Sequence, residues 1–134
     1  MRKLGGFLFG SALLVILVAA TVMAQDWSKA EPSTYLKYVT WDGTRWAARL
    51  NGTAWVIARD GDWSRGESSD HIDYLTWDRT KWRARATDRG FILAPDGDWS
   101  RRQAKKYLHY ITWDGSQYAA VLQPDRTFLL LKRR

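Results

Sequence analysis

The sequence predicts an all-β fold made of three copies of one 36-residue, four-stranded antiparallel unit, closed with pseudo-threefold symmetry. Three observations predict it. First, two landmarks recur at one interval: Asp-Trp-Ser at 26–28, 62–64 and 98–100, and Thr-Trp-Asp at 40–42, 76–78 and 112–114, both in steps of 36. Second, turn dipeptides fall nine residues apart in the first copy, at Asp42-Gly43, Asn51-Gly52 and Asp60-Gly61. Such pairs are the strongest hairpin signals, because a type I′ turn needs positive φ at both central residues. Third, the runs between the turns are rich in Trp, Val, Ile, Thr and Tyr, residues that fit a pleated surface.

Each unit therefore reads as strands at 35–41, 44–50 and 53–59 with a short fourth strand at Asp62-Trp63-Ser64, followed by a polar stretch from Arg65 to Asp70. The copies at 71–100 and 107–133 repeat this plan. The unit boundaries are 26–61, 62–97 and 98–134 within one domain, 25–134. In the second strand Trp46, Ala48 and Leu50 alternate with Arg45, Ala47 and Arg49. In its second copy Trp82, Ala84 and Ala86 alternate with Lys81, Arg83 and Arg85. Period two with charge on one side predicts one buried and one wet face. In the first strand both faces are partly apolar, which predicts cover on both. Asp78-Arg79 replaces Asp-Gly in the second copy. Arg disfavours positive φ, so a type I or three-residue turn is expected there.

The repeat starts on a fourth strand, Asp26-Trp27-Ser28, and ends on a third, Phe128 to Leu131. The two ends are therefore expected to pair and seal the sheet edges. Closed forms of this kind are β-prism- or β-trefoil-like. The alternatives are a six-bladed β-propeller built by a dimer, since propellers use at least about four blades, and a wide up-and-down barrel.

Residues 1–24 differ from the rest. A basic start (Arg2, Lys3) precedes a nearly unbroken apolar run to Ala24, with small or apolar residues at Val22-Met23-Ala24. This is the pattern of a secretory signal cleaved after Ala24. The rival reading is a retained anchor, since 4–24 is 21 residues, about 30 Å of helix. Either places the β domain outside the cytoplasm, periplasmic or extracellular.

The chain carries 21 Lys+Arg against 14 Asp+Glu; without Arg2 and Lys3 it keeps 19 against 14, a net charge of +5. That balance favours anionic partners, such as an acidic glycan or an anionic envelope surface. Nucleic acid also fits the charge, but an exported protein rarely meets it, so no nucleic-acid partner is expected. The chain has no Cys, which excludes disulfide frameworks and thiolate metal sites, and packing of its nine Trp must supply the core.

Little in the sequence points to catalysis. His71 aligns with Tyr35 and Tyr107, and His109 with Lys37 and Asp73, so the histidines occupy different repeat positions, and neither has a nucleophile at a catalytic spacing. Asp60/Asp62 and Asp96/Asp98 flank turn glycines and read as turn residues rather than glycosidase pairs. Asp-Gly-Asp lacks the remaining ligands of a calcium loop. No enzyme, cofactor or metal is expected.

The feature with chemistry in it is the repeated Trp-Asp pair: Trp41-Asp42, Trp77-Asp78 and Trp113-Asp114. An indole face stacks on a sugar ring and a neighbouring carboxylate accepts from hydroxyls. Three such sites would give avidity for a repeated glycan. The competing reading makes these Trp core residues and the Asp turn openers. Trp46, Trp82 and Tyr118 read as core, and Trp27, Trp63 and Trp99 as packing anchors. The expectation is a lectin-like binding module. The alternative is a membrane-anchored accessory subunit that stabilises a larger membrane or envelope complex. Either could form a homo-oligomer.

Overall fold

The computed structural model describes residues 27–134, so the expected signal or anchor segment and Asp26 lie outside the described residues. Among the described residues twelve strands form three four-stranded antiparallel sheets. The first sheet is β2 (Leu36–Val39), β3 (Arg45–Asn51), β4 (Ala54–Arg59) and β5 (Glu67–Ser69), in that order. The second is β6 (Ile72–Leu75), β7 (Lys81–Ala86), β8 (Phe91–Pro95) and β9 (Gln103–Lys105). The third is β10 (Tyr107–Ile111), β11 (Gln117–Leu122) and β12 (Phe128–Lys132), completed by β1 (Glu31–Ser33). The head of the chain thus pairs with its tail, with Glu31 opposite Leu130 and Ser33 opposite Phe128, and Trp27 bridging Arg133.

The strands obey the alternation in the sequence. Leu36 and Tyr38, Ile72 and Tyr74, and Leu108 and Tyr110 point from the first strand of each sheet into one shared core, and β2, β6 and β10 touch one another there. Ala48, Ala84 and Ala120 lie fully buried behind them. Small residues at these points let the sheets approach closely. Beneath the β3–β4, β7–β8 and β11–β12 turns, Trp55 lies close to Phe91 and Phe128 with the rings almost parallel. Trp55 is wholly buried, which makes it the largest such side chain. Removing that much aromatic surface from water contributes about 4 kcal/mol or more, before the entropy of ordering is set against it. Trp55 did not stand out in the sequence, although the aromatic position recurs at 55, 91 and 128.

Four expectations need correction. The Asp-Trp-Ser segments at 62–64 and 98–100 are not strands. Trp63–Arg65 and Trp99–Arg101 are single 3-10 turns, each capped by an Asp (Asp62, Asp98) that accepts from the backbone N–H two residues on. The fourth strand lies further along, in the supposed loop, as Glu31-Pro32-Ser33, Glu67-Ser68-Ser69 and Gln103-Ala104-Lys105. These edge strands are short and polar, and Pro32 could sit only on an edge.

The turns also differ from expectation. Asp42-Gly43 is not a type I′ pair. Trp41, Asp42 and Gly43 form a three-residue loop in which Gly43 N–H donates to Thr40 O and Thr40 N–H to Thr44 O, and only Gly43 has positive φ. Asn51 belongs to β3, and Gly52 alone takes positive φ there. The type I′ pattern holds at Asp60-Gly61 and Asp96-Gly97. The loop at Arg79 does have three residues, but so do its counterparts, and Arg79 adopts the left-handed φ of +64°.

Finally, the face opposite the core is not uniformly wet: Ala47, Ala58 and Ala94 are buried on it. Nor is the first strand covered throughout on both sides, since Lys37 is exposed.

Candidate functional site

The three Thr-Trp-Asp segments occupy equivalent three-residue loops, and each Trp leaves its own sheet. Trp41 donates its indole N–H to Trp82 O on the second sheet at 2.9 Å, Trp77 to Tyr118 O on the third at 2.9 Å, and Trp113 to Trp46 O on the first at 3.0 Å. Each indole is therefore a strap from one sheet to the next around the molecule. Two straps end against turn glycines. A Cβ at Gly97 would come within 3.2 Å of Trp41, and one at Gly61 within 3.3 Å of Trp113. A larger residue at either place would push the indole off, and both glycines also hold φ above +70°.

The Asp of each segment closes its own loop. Asp42 accepts from the Thr44 N–H and hydroxyl, Asp78 from both groups of Thr80, and Asp114 from the Ser116 N–H. The hydroxyl at Thr44, Thr80 or Ser116 holds each carboxyl below its ordinary pKa. The same hydroxyl at Thr44 and Thr80 receives the indole N–H of Trp46 and Trp82. The six residues singled out from the sequence therefore stand at three separate corners. One oxygen of each Asp is committed to its loop.

The surroundings of the three indoles differ. Arg83 lies 5.2 Å and Lys81 6.0 Å from the Trp41 ring, with Arg83 held by a two-point ion pair to Asp73. Lys37 lies 5.0 Å from Trp113. Trp77 is stacked by His109 at 4.1 Å, flanked by Trp27 at 5.3 Å and covered by Arg133 at 4.9 Å. Burial, with Lys105 and Arg133 nearby, pushes the His109 pKa down.

Grooves open between the sheets. One of about 390 Å³ lies between the first sheet and β6. Tyr38, Trp41 and Trp46 give it aromatic walls, and Asp42, Arg59, His71 and Asp73 supply its polar groups. His71 Nδ1 pairs with Asp70, and its Nε2 stands 3.8 Å from Asp73. A second groove, of about 540 Å³, includes Trp77, Asp78, Trp82, Gln117 and Arg133. His71, Asp73 and Arg133 were not singled out as binding residues because they neighbour the Trp-Asp pairs only across sheets, and Arg59 because it reaches its pair from the far end of β4 in the same sheet. Among the described residues no group of three or more His, Asp or Glu is placed to hold a metal ion.

No protein-family model matches this chain, and no curated protein or solved structure matches it either.

Proposed function

We propose that this chain is a non-catalytic binding module for carbohydrate, working outside the cytoplasm, with its best-formed site in the groove beside Trp41 and Asp42. The observation that carries this reading is the composition of that groove: aromatic walls from Tyr38, Trp41 and Trp46 beside Asp42, Arg59, His71 and Asp73. Aromatic surface with a few convergent polar groups suits a sugar ring, which has an apolar face and a hydroxyl rim. Trp77-Asp78 and Trp113-Asp114 are the related sites, set on a pseudo-threefold, β-prism-like body, and together they give avidity for a repeated glycan. In this reading Trp41 acts mainly as a wall, because its N–H is spent on Trp82 O.

Calorimetry with neutral oligosaccharides tests the reading. Binding is expected in the wild type and is expected to weaken by about tenfold or more in Arg59→Ala or His71→Ala. The absence of binding to every saccharide tried would end it.

One observation favours a second reading. Arg49 stacks on Trp63 at 4.5 Å and Arg85 on Trp99 at 4.3 Å, on surfaces away from the shared core. A basic, aromatic exterior also suits an accessory subunit anchored through residues 4–24 and packed against an anionic envelope complex. N-terminal sequencing of the protein from its own cells separates the two: Gln25 first favours the free module, Met1 the anchored subunit.

A further inference from the structure

The cleft between the second and third sheets occupies the same place in the repeat as the Trp41 groove, but its chemistry is different. It holds about 280 Å³, at the small end for a ligand pocket, the size for one ring rather than a chain. Tyr74, Trp82 and Tyr107 line it, as Tyr38, Trp46 and His71 line the first. One repeat on, Ser69 has become Lys105 and Asp73 has become His109. The first groove contains two carboxylates, Asp42 and Asp73, with the guanidinium of Arg59, whereas the cleft contains no carboxylate among its described lining residues and has an ammonium group instead. Gln103 adds an amide to the same wall. A second and independent observation concerns His109, whose Nε2 is buried with no hydrogen-bond partner among the described residues. A buried polar nitrogen without a partner is costly, and a bound polar group would relieve that cost.

We propose that this cleft binds a carboxylated sugar ring, a uronate, with Lys105 facing the carboxylate, His109 meeting a polar oxygen, and the Trp82 and Tyr107 rings bracketing the sugar. The inference rests on the saccharide reading above but concerns a different site and a charged ligand. Charge complementarity selects the occupant: in the first groove Arg59 and Arg83 already face Asp42 and Asp73, which leaves a carboxylate no unopposed cation, whereas beside Lys105 it gains a charge-assisted hydrogen bond. Lys105 is exposed, so its substitution leaves the core intact.

Titration of the full chain with trigalacturonate and with its neutral counterpart galactotriose tests the inference, followed by calorimetry and by the NMR signals of the His109 ring. The expected result is about tenfold or stronger preference for trigalacturonate, loss of that preference in Lys105→Gln, and movement of the His109 signals during titration. Equal affinity for the two sugars, a preference that survives Lys105→Gln, or His109 signals that stay fixed while trigalacturonate binds would each overturn the proposal. So would binding of anionic phospholipid vesicles that competes with trigalacturonate and shows the same Lys105 dependence. The readings fail separately. Neutral-sugar binding that depends on Arg59 and His71 without any uronate preference overturns only this proposal. Uronate binding through Lys105 without neutral binding overturns only the assignment of the Trp41 groove.

Discussion

Trp41 and Trp77 are the same residue of the same loop, and each reaches a carbonyl 41 residues further along the chain. Their covers share a guanidinium, Arg83 at 5.2 Å over Trp41 and Arg133 at 4.9 Å over Trp77, and differ in the rest. Trp41 lies under Arg83 and Lys81, near solvent, with Asp73 holding Arg83 in place. Trp77 is packed into a second apolar cluster with Trp27, Ala119, Val121 and Leu131, and stacks on His109. The difference arises where the chain closes. In the first two copies a type I′ turn, at Asp60 or Asp96, follows the third strand. In the third copy Arg133 takes that place, donating its backbone N–H to Gln117 O as Asp60 does to Arg45 O, while Trp27 fills in from the head of the chain. The repeat thus fixes the strap, and the joining of the two ends decides what lies over it. The Trp41 strap is left beside charged side chains, whereas the Trp77 strap is packed into the closure.

The largest expected effect breaks the comparison. Trp77→Ala removes packing from the closure and is expected to cost about 4–5 kcal/mol, against about 3 kcal/mol for Trp41→Ala, in urea unfolding. Equal losses would mean that the two covers matter alike. Trp→Phe at 41, 77 or 113 tests the shared half of the comparison. Each removes one indole N–H from a cross-sheet carbonyl, so a similar loss of about 1–2 kcal/mol is expected at all three.

Acidity separates the two covers in a different way. The folded-state pKa of His109 lies below the ordinary value of 6.5, mainly through burial. The stability it contributes is therefore complete above that value and is lost as pH falls below it toward the lowered folded pKa, because the unfolded chain binds the proton first. Thermal unfolding should accordingly show a drop in Tm between pH 7.5 and 5 that His109→Gln abolishes. The loop carboxylates titrate lower still and would act only in more acid solution. The smallest effect is local. Arg79→Gly places glycine where its counterparts Gly43 and Gly115 already stand, and should gain about 0.5 kcal/mol, the left-handed strain relieved less the added freedom of the unfolded chain. A loss would show that the Arg79 side chain holds something that the backbone argument ignores.

Much of this architecture was legible in the sequence. Spacing of 36 announced three units, period-two alternation placed the core-facing residues, and the pairing of the two ends followed from where the repeat starts and stops. Misreadings fell where a local signal was missing or was overridden. Glu67-Ser68-Ser69 has no apolar alternation, because an outer edge strand buries neither face, so its hydrogen bonds to β4 left no trace in composition. Asp62-Trp63-Ser64 looked like a strand through its aromatic, but Asp62 and Ser64 carry the stronger message of a cap. Arg79 and Arg126 adopt φ of +64° and +71° because the surrounding ladders fix the loop, and in the case of Arg126 because its guanidinium also reaches Gly52 O and Thr87 O on two other turns. The Trp-Asp pairs were visible as loops, but the straps, the cations over them and the grooves beside them join residues from different sheets, and sequence distance carries no information about such neighbours.

The most direct test is indole N–H exchange with deuterium, followed by NMR across the nine tryptophans. The strapped indoles of Trp41, Trp77 and Trp113 are expected to exchange slowly and as a group, with Trp77 slowest. Trp63 and Trp99, whose indoles lie on 3-10 turns without such an acceptor among the described residues, should exchange first. If Trp41, Trp77 and Trp113 lost their protons as quickly as Trp63 and Trp99, the sheets would not be tied together in this way, and the account would be contradicted.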